Sequence, residues 1–100
     1  MANIEIYTKD WCSFCKGAKS LLDQKGLSYI ELDVTHNHDL ETEMQKRSNR
    51  RSVPQIFVDG HHIGGFDELR ALERSRSLDT LIGERSAGDN PTDFKYGKEK

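Results

Sequence analysis

Ile4-Glu5-Ile6-Tyr7-Thr8-Lys9-Asp10-Trp11-Cys12-Ser13-Phe14-Cys15 decides the fold and places the chemistry. Ile4 and Ile6 alternate with polar neighbours, the period of a strand. Beyond the cysteines, Phe14, Ala18, Leu21 and Leu22 recur at helical spacing, and Gly26 is the natural stop, able to take the left-handed conformation. Ile30, Leu32 and Val34 alternate again. A strand, a helix and a second strand in so short a span read as a βαβ unit, so the two strands are expected to be parallel.

Working outward, a more polar helix is expected from about Asp39 to Ser48, with Leu40 and Met44 facing inward. Gln55-Ile56-Phe57-Val58 is a core strand, and Asp59-Gly60 is a hairpin turn of the kind that demands positive φ. His61-His62-Ile63 returns as an edge strand ended by Gly64-Gly65. Asp67 is expected to cap a helix carrying Leu69 and Leu72, and Leu78, Leu81 and Ile82 form a last short helical turn. The order β-α-β-α-β-β-α gives an α/β thioredoxin-like fold: a four-stranded mixed sheet with helices on both faces. The domain spans residues 1–83. Residues 84–100 are polar, lack a sustained period and read as a mobile tail, with Phe94 and Tyr96 either stray or docked on the domain.

The totals exclude several function classes. One hundred residues suffice for one domain with a modest core. A net charge of −2 offers nucleic acid or an anionic membrane nothing to hold. No apolar run approaches the ~20 residues that span a bilayer. Met1-Ala2-Asn3-Ile4-Glu5-Ile6 has neither the charged nor the apolar region of a secretory signal, so a cytoplasmic protein is expected.

The chain has 2 cysteines, Cys12 and Cys15. A bond closing so short a loop removes little entropy from the unfolded chain, so stability does not explain the pair. Redox or metal chemistry remains. Unpaired N–H groups and aligned peptide dipoles at a helix start favour a thiolate there, and the thiolate is the nucleophile. Lys9, Lys16 and Lys19 add positive charge, while Asp10 opposes it but is free to point to solvent. Cys15, one turn in, is expected to be the more buried: Cys12 attacks and Cys15 resolves. Zinc is the rival, but His36 and His38 are spaced too tightly for a finger and sit in a polar connection. All 4 histidines are expected at the surface, His61 and His62 included.

Ile4 to Lys9, Ser52-Val53-Pro54-Gln55-Ile56-Phe57-Val58 and Ile63-Gly64-Gly65-Phe66-Asp67-Glu68-Leu69 resemble the dithiol glutaredoxins over about residues 3–83, and are close to the short bacterial members. The resemblance implies a glutathione-dependent oxidoreductase acting on protein–glutathione mixed disulfides and protein disulfides, monomeric in its enzyme form. It implies a cis Pro54 facing the active cysteine, preceded by Ser52 and Val53, with the Val53 backbone free to pair with the cysteinyl part of glutathione. Lys9 would attract a glutathione carboxylate and Phe14 would flank the tripeptide. Gly65, Phe66 and Asp67 would set helix-start N–H groups against the γ-glutamyl carboxylate.

Two departures stand out. The first is at the cysteines, where Ser13 occupies a place in which proline is common, with Trp11 before the pair and Phe14 where tyrosine is usual; the second is Glu68. Some family members with that serine share a [2Fe–2S] cluster between two subunits, with glutathione thiols as outside ligands. The alternative implied here is therefore a glutathione-bridged dimer holding a cluster through Cys12. Glu68 stands where aspartate is common, and its longer side chain puts the contact with glutathione in question. The basic run Lys46-Arg47-Ser48-Asn49-Arg50-Arg51 reads as a solvated helix end; otherwise one arginine assists the glycyl carboxylate or an acidic protein substrate. A thioredoxin-type enzyme recycled by a flavin reductase is disfavoured by the short chain and the glutathione-like segments.

Overall fold

In a computed structural model, which describes residues 3–78, β1 (Ile4–Thr8) runs through the middle of the sheet. It pairs in parallel with β2 (Ile30–Asp33), Tyr7 opposite Leu32, and antiparallel with β3 (Gln55–Val58), Tyr7 opposite Gln55. β3 pairs with the edge strand β4 (His61–Gly64), giving the order β2-β1-β3-β4. The expected parallel βαβ unit is present. The β3–β4 turn has positive φ at both residues, 51° at Asp59 and 82° at Gly60, as the Asp-Gly pair demands.

α1 (Ser13–Gln24) and α3 (Phe66–Arg74) cover one face of the sheet, and α2 (His38–Ser48) covers the other. On the first face Ala18, Leu22 and Leu69 bury against Ile4, Ile6, Ile56 and Val58, and Leu78 joins them. On the second Met44 packs on Tyr7, Phe57 and Val34. Packed apolar faces hold these helices, since helices this short are marginal in water alone. No helix among the described residues is long and apolar enough to cross a membrane.

Several details differ from the sequence reading. Phe14 begins the helical stripe but is 63% exposed, because the stripe meets the sheet only from Ala18 onward. Ile30 is 51% exposed: Leu40 and Met44 of α2 cover Leu32 and Val34 but do not extend to the start of this edge strand. α2 starts at His38, where the Asn37 side chain accepts a bond from Leu40 N (3.1 Å). Asp67 does not cap α3; it lies inside the first turn, and Gly65 is the cap residue. His62 is half-buried against Phe57. Leu81, Ile82, the boundary at residue 83 and the tail lie outside the described residues.

Candidate active site

Thr8 ends β1 and α1 begins at Ser13, so Cys12 falls at the N-cap. Its backbone is extended (φ −90°, ψ 110°), and its Sγ accepts a hydrogen bond from Cys15 N at 3.1 Å. The sulfur thus stands where serine or aspartate usually caps a helix, on one of the donors the helix cannot satisfy itself. It is 7% exposed, against 1% for Cys15, and both are free thiols. The expected asymmetry is present, although Cys12 is more enclosed than an outer sulfur was expected to be.

Burial pushes the Cys15 thiol up to about 12, aided by its bond with Cys12 and by the charge of a Cys12 thiolate. A backbone bond at Lys9 and the charge of Lys19 oppose this weakly. Lys19 is not a spare cation for Cys12: its ammonium meets Glu31 at 2.9 Å, and Thr8 Oγ1 donates to that carboxylate (2.7 Å). Those two bonds hold Glu31 below the usual carboxylate range.

Two adjoining cavities open beside Cys12. The larger, about 470 Å³, is lined by Lys9, Trp11, Cys12, Ser13, Phe14, Arg51, Ser52 and Val53. The second, about 270 Å³, is lined by Phe14, Arg50, Ser52, Val53, Pro54, Gly65, Phe66, Asp67 and Glu68. Phe14, Ser52 and Val53 line both. The structure therefore brings every sequence-derived candidate except Cys15 to one continuous groove. The Val53–Pro54 peptide is cis, and the Val53 carbonyl lies 3.7 Å from Cys12 Sγ. Phe14 and Phe66 approach at 6.2 Å between ring centroids. Gly17 makes room for the second ring, since a Cβ there would lie 2.8 Å from Phe66 Cζ.

The charged groups are more committed than the sequence implied. Lys9 meets Glu41 at 3.3 Å and lies 5.6 Å from the Trp11 ring centroid. Glu68 folds back on the turn, accepting from Gly65 N at 2.6 Å and meeting Arg50 Nη1 at 3.4 Å. One of the three amides expected at the anion site is thus already bonded. In the basic run, Arg47 is structural: its guanidinium lies over Phe57 (4.0 Å to the centroid) and pairs with Glu5 at 3.0 Å. It also donates to Tyr7 Oη, which itself donates to Glu43.

Trp11, 72% exposed, joins the groove although the sequence reading gave it no site role, and Arg51 joins it as one of the arginines offered only as an alternative for the glycyl carboxylate. Adjacency to Cys12 and to Ser52 was the available signal. Among the described residues no three His, Cys, Asp or Glu side chains gather to hold a metal ion.

A Cys-x-x-Cys pair at the junction of a central strand and its following helix, on this sheet, defines a thiol–disulfide oxidoreductase of the thioredoxin-like class. The family model for glutaredoxin matches residues 4–63. Glutaredoxin 3 of Escherichia coli (strain K12) is 52% identical over 82 residues, which are 82% of this chain and 99% of that protein. The crystal structure of the buckwheat glutaredoxin–glutathione complex superposes with a TM-score of 0.76 at 27% identity, over 83% of this chain and 78% of that one. A further solved structure, described under metal binding of glutaredoxins, has a TM-score of 0.64 at 44% identity, over 82% of this chain and 89% of its own. The chain belongs to the glutaredoxin family and is a glutathione-dependent disulfide oxidoreductase.

Proposed function

We propose that the chain reduces protein–glutathione mixed disulfides and protein disulfides, with Cys12 as nucleophile and Cys15 as resolving thiol. The unequal placement of the two sulfurs supports this reading: Cys12 lines the groove at a helix start, and Cys15 lines neither cavity. The Cys12 thiolate attacks the glutathionyl sulfur, forming a new S–S bond as the substrate protein leaves as thiolate. A second glutathione thiolate then attacks that glutathionyl sulfur, releasing oxidised glutathione and the Cys12 thiolate. With a protein disulfide, the Cys12 thiolate attacks one sulfur and expels the other as thiolate, giving the protein adduct. Cys15 then attacks the Cys12 sulfur of that adduct, its proton passing to the departing substrate thiolate, and leaves the Cys12–Cys15 disulfide.

In this reading glutathione lies along the joined cavities. The Val53 backbone pairs with its cysteinyl part, and Phe14 flanks it. Phe66 and Asp67 present helix-start amides to the γ-glutamyl carboxylate, and Lys9 and Arg51 face the glycyl end. The enzyme form is a monomer in a reducing cytoplasmic setting, where both thiols stay free. The test is reduction of a glutathionylated model substrate by glutathione. Wild type and Cys15→Ser turn over and Cys12→Ser does not. Loss of activity in both variants overturns the division of roles.

A second reading, a [2Fe–2S] cluster shared by two copies through Cys12, draws support from the 44% identical structure concerned with metal binding. In this reading Cys12 supplies one thiolate per chain and two glutathione thiols complete the four.

A further inference from the structure

We propose that His62, on the far side of β3 from Cys12, is a positioning residue for the glutathione groove, acting through the buried amide of Gln55 on Ser52 and Val53. The inference rests on the groove being the glutathione site. Gln55 is fully buried, directly after cis-Pro54. Its Nε2 donates to the Ser52 carbonyl at 3.0 Å and to Ser52 Oγ at 3.3 Å, and its Oε1 lies 2.7 Å from His62 Nε2.

The chemistry fixes the direction of this chain. The Ser52 carbonyl only accepts, so the Gln55 nitrogen must face it and the Gln55 oxygen must face the histidine. His62 Nε2 therefore carries the hydrogen. The imidazole is itself held, 5.0 Å from the buried Phe57 ring, which the Arg47 guanidinium and the Tyr7 ring also contact. Burial favours the neutral ring, with Arg50 and Arg47 acting in the same sense and Glu68 against it. Neutral or charged, Nε2 remains a donor in this arrangement.

The chain ends where placement matters. Ser52 and Val53 are common to both cavities, and Val53 O approaches Cys12 Sγ at 3.7 Å. With no donor at position 62 the buried Gln55 oxygen is left unsatisfied, and an amide drawn toward another donor loosens its bonds to Ser52. The loop that presents Val53 would then lose its fixed position, and bound glutathione its pairing edge.

His62→Phe keeps an aromatic ring on Phe57 and removes the donor; His62→Gln returns a donor without the ring. The expected result is a rise in KM for glutathione of about three- to tenfold in His62→Phe, with kcat changed less than about twofold. In His62→Gln the KM recovers most of the way. A lower melting temperature with KM unchanged overturns the proposal, leaving His62 a merely structural contact. Long-range ¹⁵N–¹H NMR of the free protein reads the His62 tautomer, and amide spectra of His62→Phe read Ser52 and Val53. A proton on Nε2, with displaced Ser52 and Val53 signals in the variant, supports the chain; a proton on Nδ1 alone, or unmoved signals, overturns it. This spectroscopic arm decides the positioning even if the wild type fails to turn over glutathionylated substrate, so the two failures are told apart.

Discussion

Native-state alkylation of Cys15, with and without Cys12, tests the site at its most quantitative point. A thiol pushed up to about 12 has roughly three thiolates in 100,000 molecules at pH 7.5. Burial is the first cause and remains when Cys12 is changed. The charge of the Cys12 thiolate comes from the partner sulfur and vanishes once Cys12 is serine or is tied up in a mixed disulfide. In the proposed mechanism Cys15 is therefore restrained while the enzyme is reduced and eased when resolution is required. Initial rates of iodoacetamide labelling, mapped by mass spectrometry between pH 6 and 10, measure this directly. Wild-type Cys15 should label far more slowly than Cys12, its rate rising about tenfold per pH unit with no plateau below pH 10. In Cys12→Ser the same rate at pH 9 should rise at least about threefold, the equivalent of half a unit. Exposure of Cys15 enters both proteins alike, so the ratio isolates the charge. A plateau below pH 10, or equal rates in the two proteins, would refute the reasoning.

Other expectations follow from single contacts. Cys12→Ala should unfold at lower denaturant than Cys12→Ser by about 0.5–2 kcal/mol, because only serine restores an N-cap acceptor for Cys15 N; chemical denaturation of the reduced proteins checks it. Glu68→Ala removes the bond to Gly65 N and the exposed pair with Arg50, costing about 1 kcal/mol and lowering Tm by about 4–8 °C in a calorimetric scan. Gly17→Ala should forfeit the ~1 kcal/mol helix gain expected of that change, because its Cβ meets Phe66 at 2.8 Å; denaturation should show no stabilisation and the assay a higher KM for glutathione. Anaerobic reconstitution with iron, sulfide and glutathione should give cluster absorption and a dimer with wild type and neither with Cys12→Ser if the second reading holds; a colourless monomer in both removes it.

The order of elements, the parallel βαβ unit and the hairpin were legible because period-two and helical patterns alternate cleanly, and because Asp59-Gly60 allows one turn geometry. The redox pair was legible from its place between a strand and a helix. What the sequence left hidden was how charges are spent. Lys9, Lys19, Arg47 and Arg50 look equivalent as letters, yet Glu41, Glu31, Glu5 and Glu68 engage them from other parts of the chain. Pairings of that kind depend on tertiary distances that periodicity does not encode. Helix ends were hidden for a similar reason. Asp67 is a common cap residue, but the Glu68 carboxylate reaches back to Gly65 N and sets the start one residue beyond the glycine. His62 looked like a hairpin surface residue, since only the register of β4 against Phe57 turns it inward.

The start of α1 gives one sulfur two duties, and they reinforce each other. A helix needs an acceptor for its first amides, and the usual oxygen caps supply one at no chemical risk. Cys12 supplies a sulfur, a weak acceptor as a thiol and a much stronger, charge-assisted one as a thiolate. The 3.1 Å bond from Cys15 N is thus strongest in the ionised form that the proposed mechanism has attack disulfides. In the proposed return step, where a second glutathione expels Cys12 as thiolate, the same amide stands ready for the departing sulfur. That same amide belongs to the resolving residue, so the backbone of Cys15 steadies the nucleophile that its own sulfur later attacks. Two residues between the cysteines are what this requires: Cys15 N sits within one turn of the cap, and the Cys15 thiol stays under the helix, away from the groove.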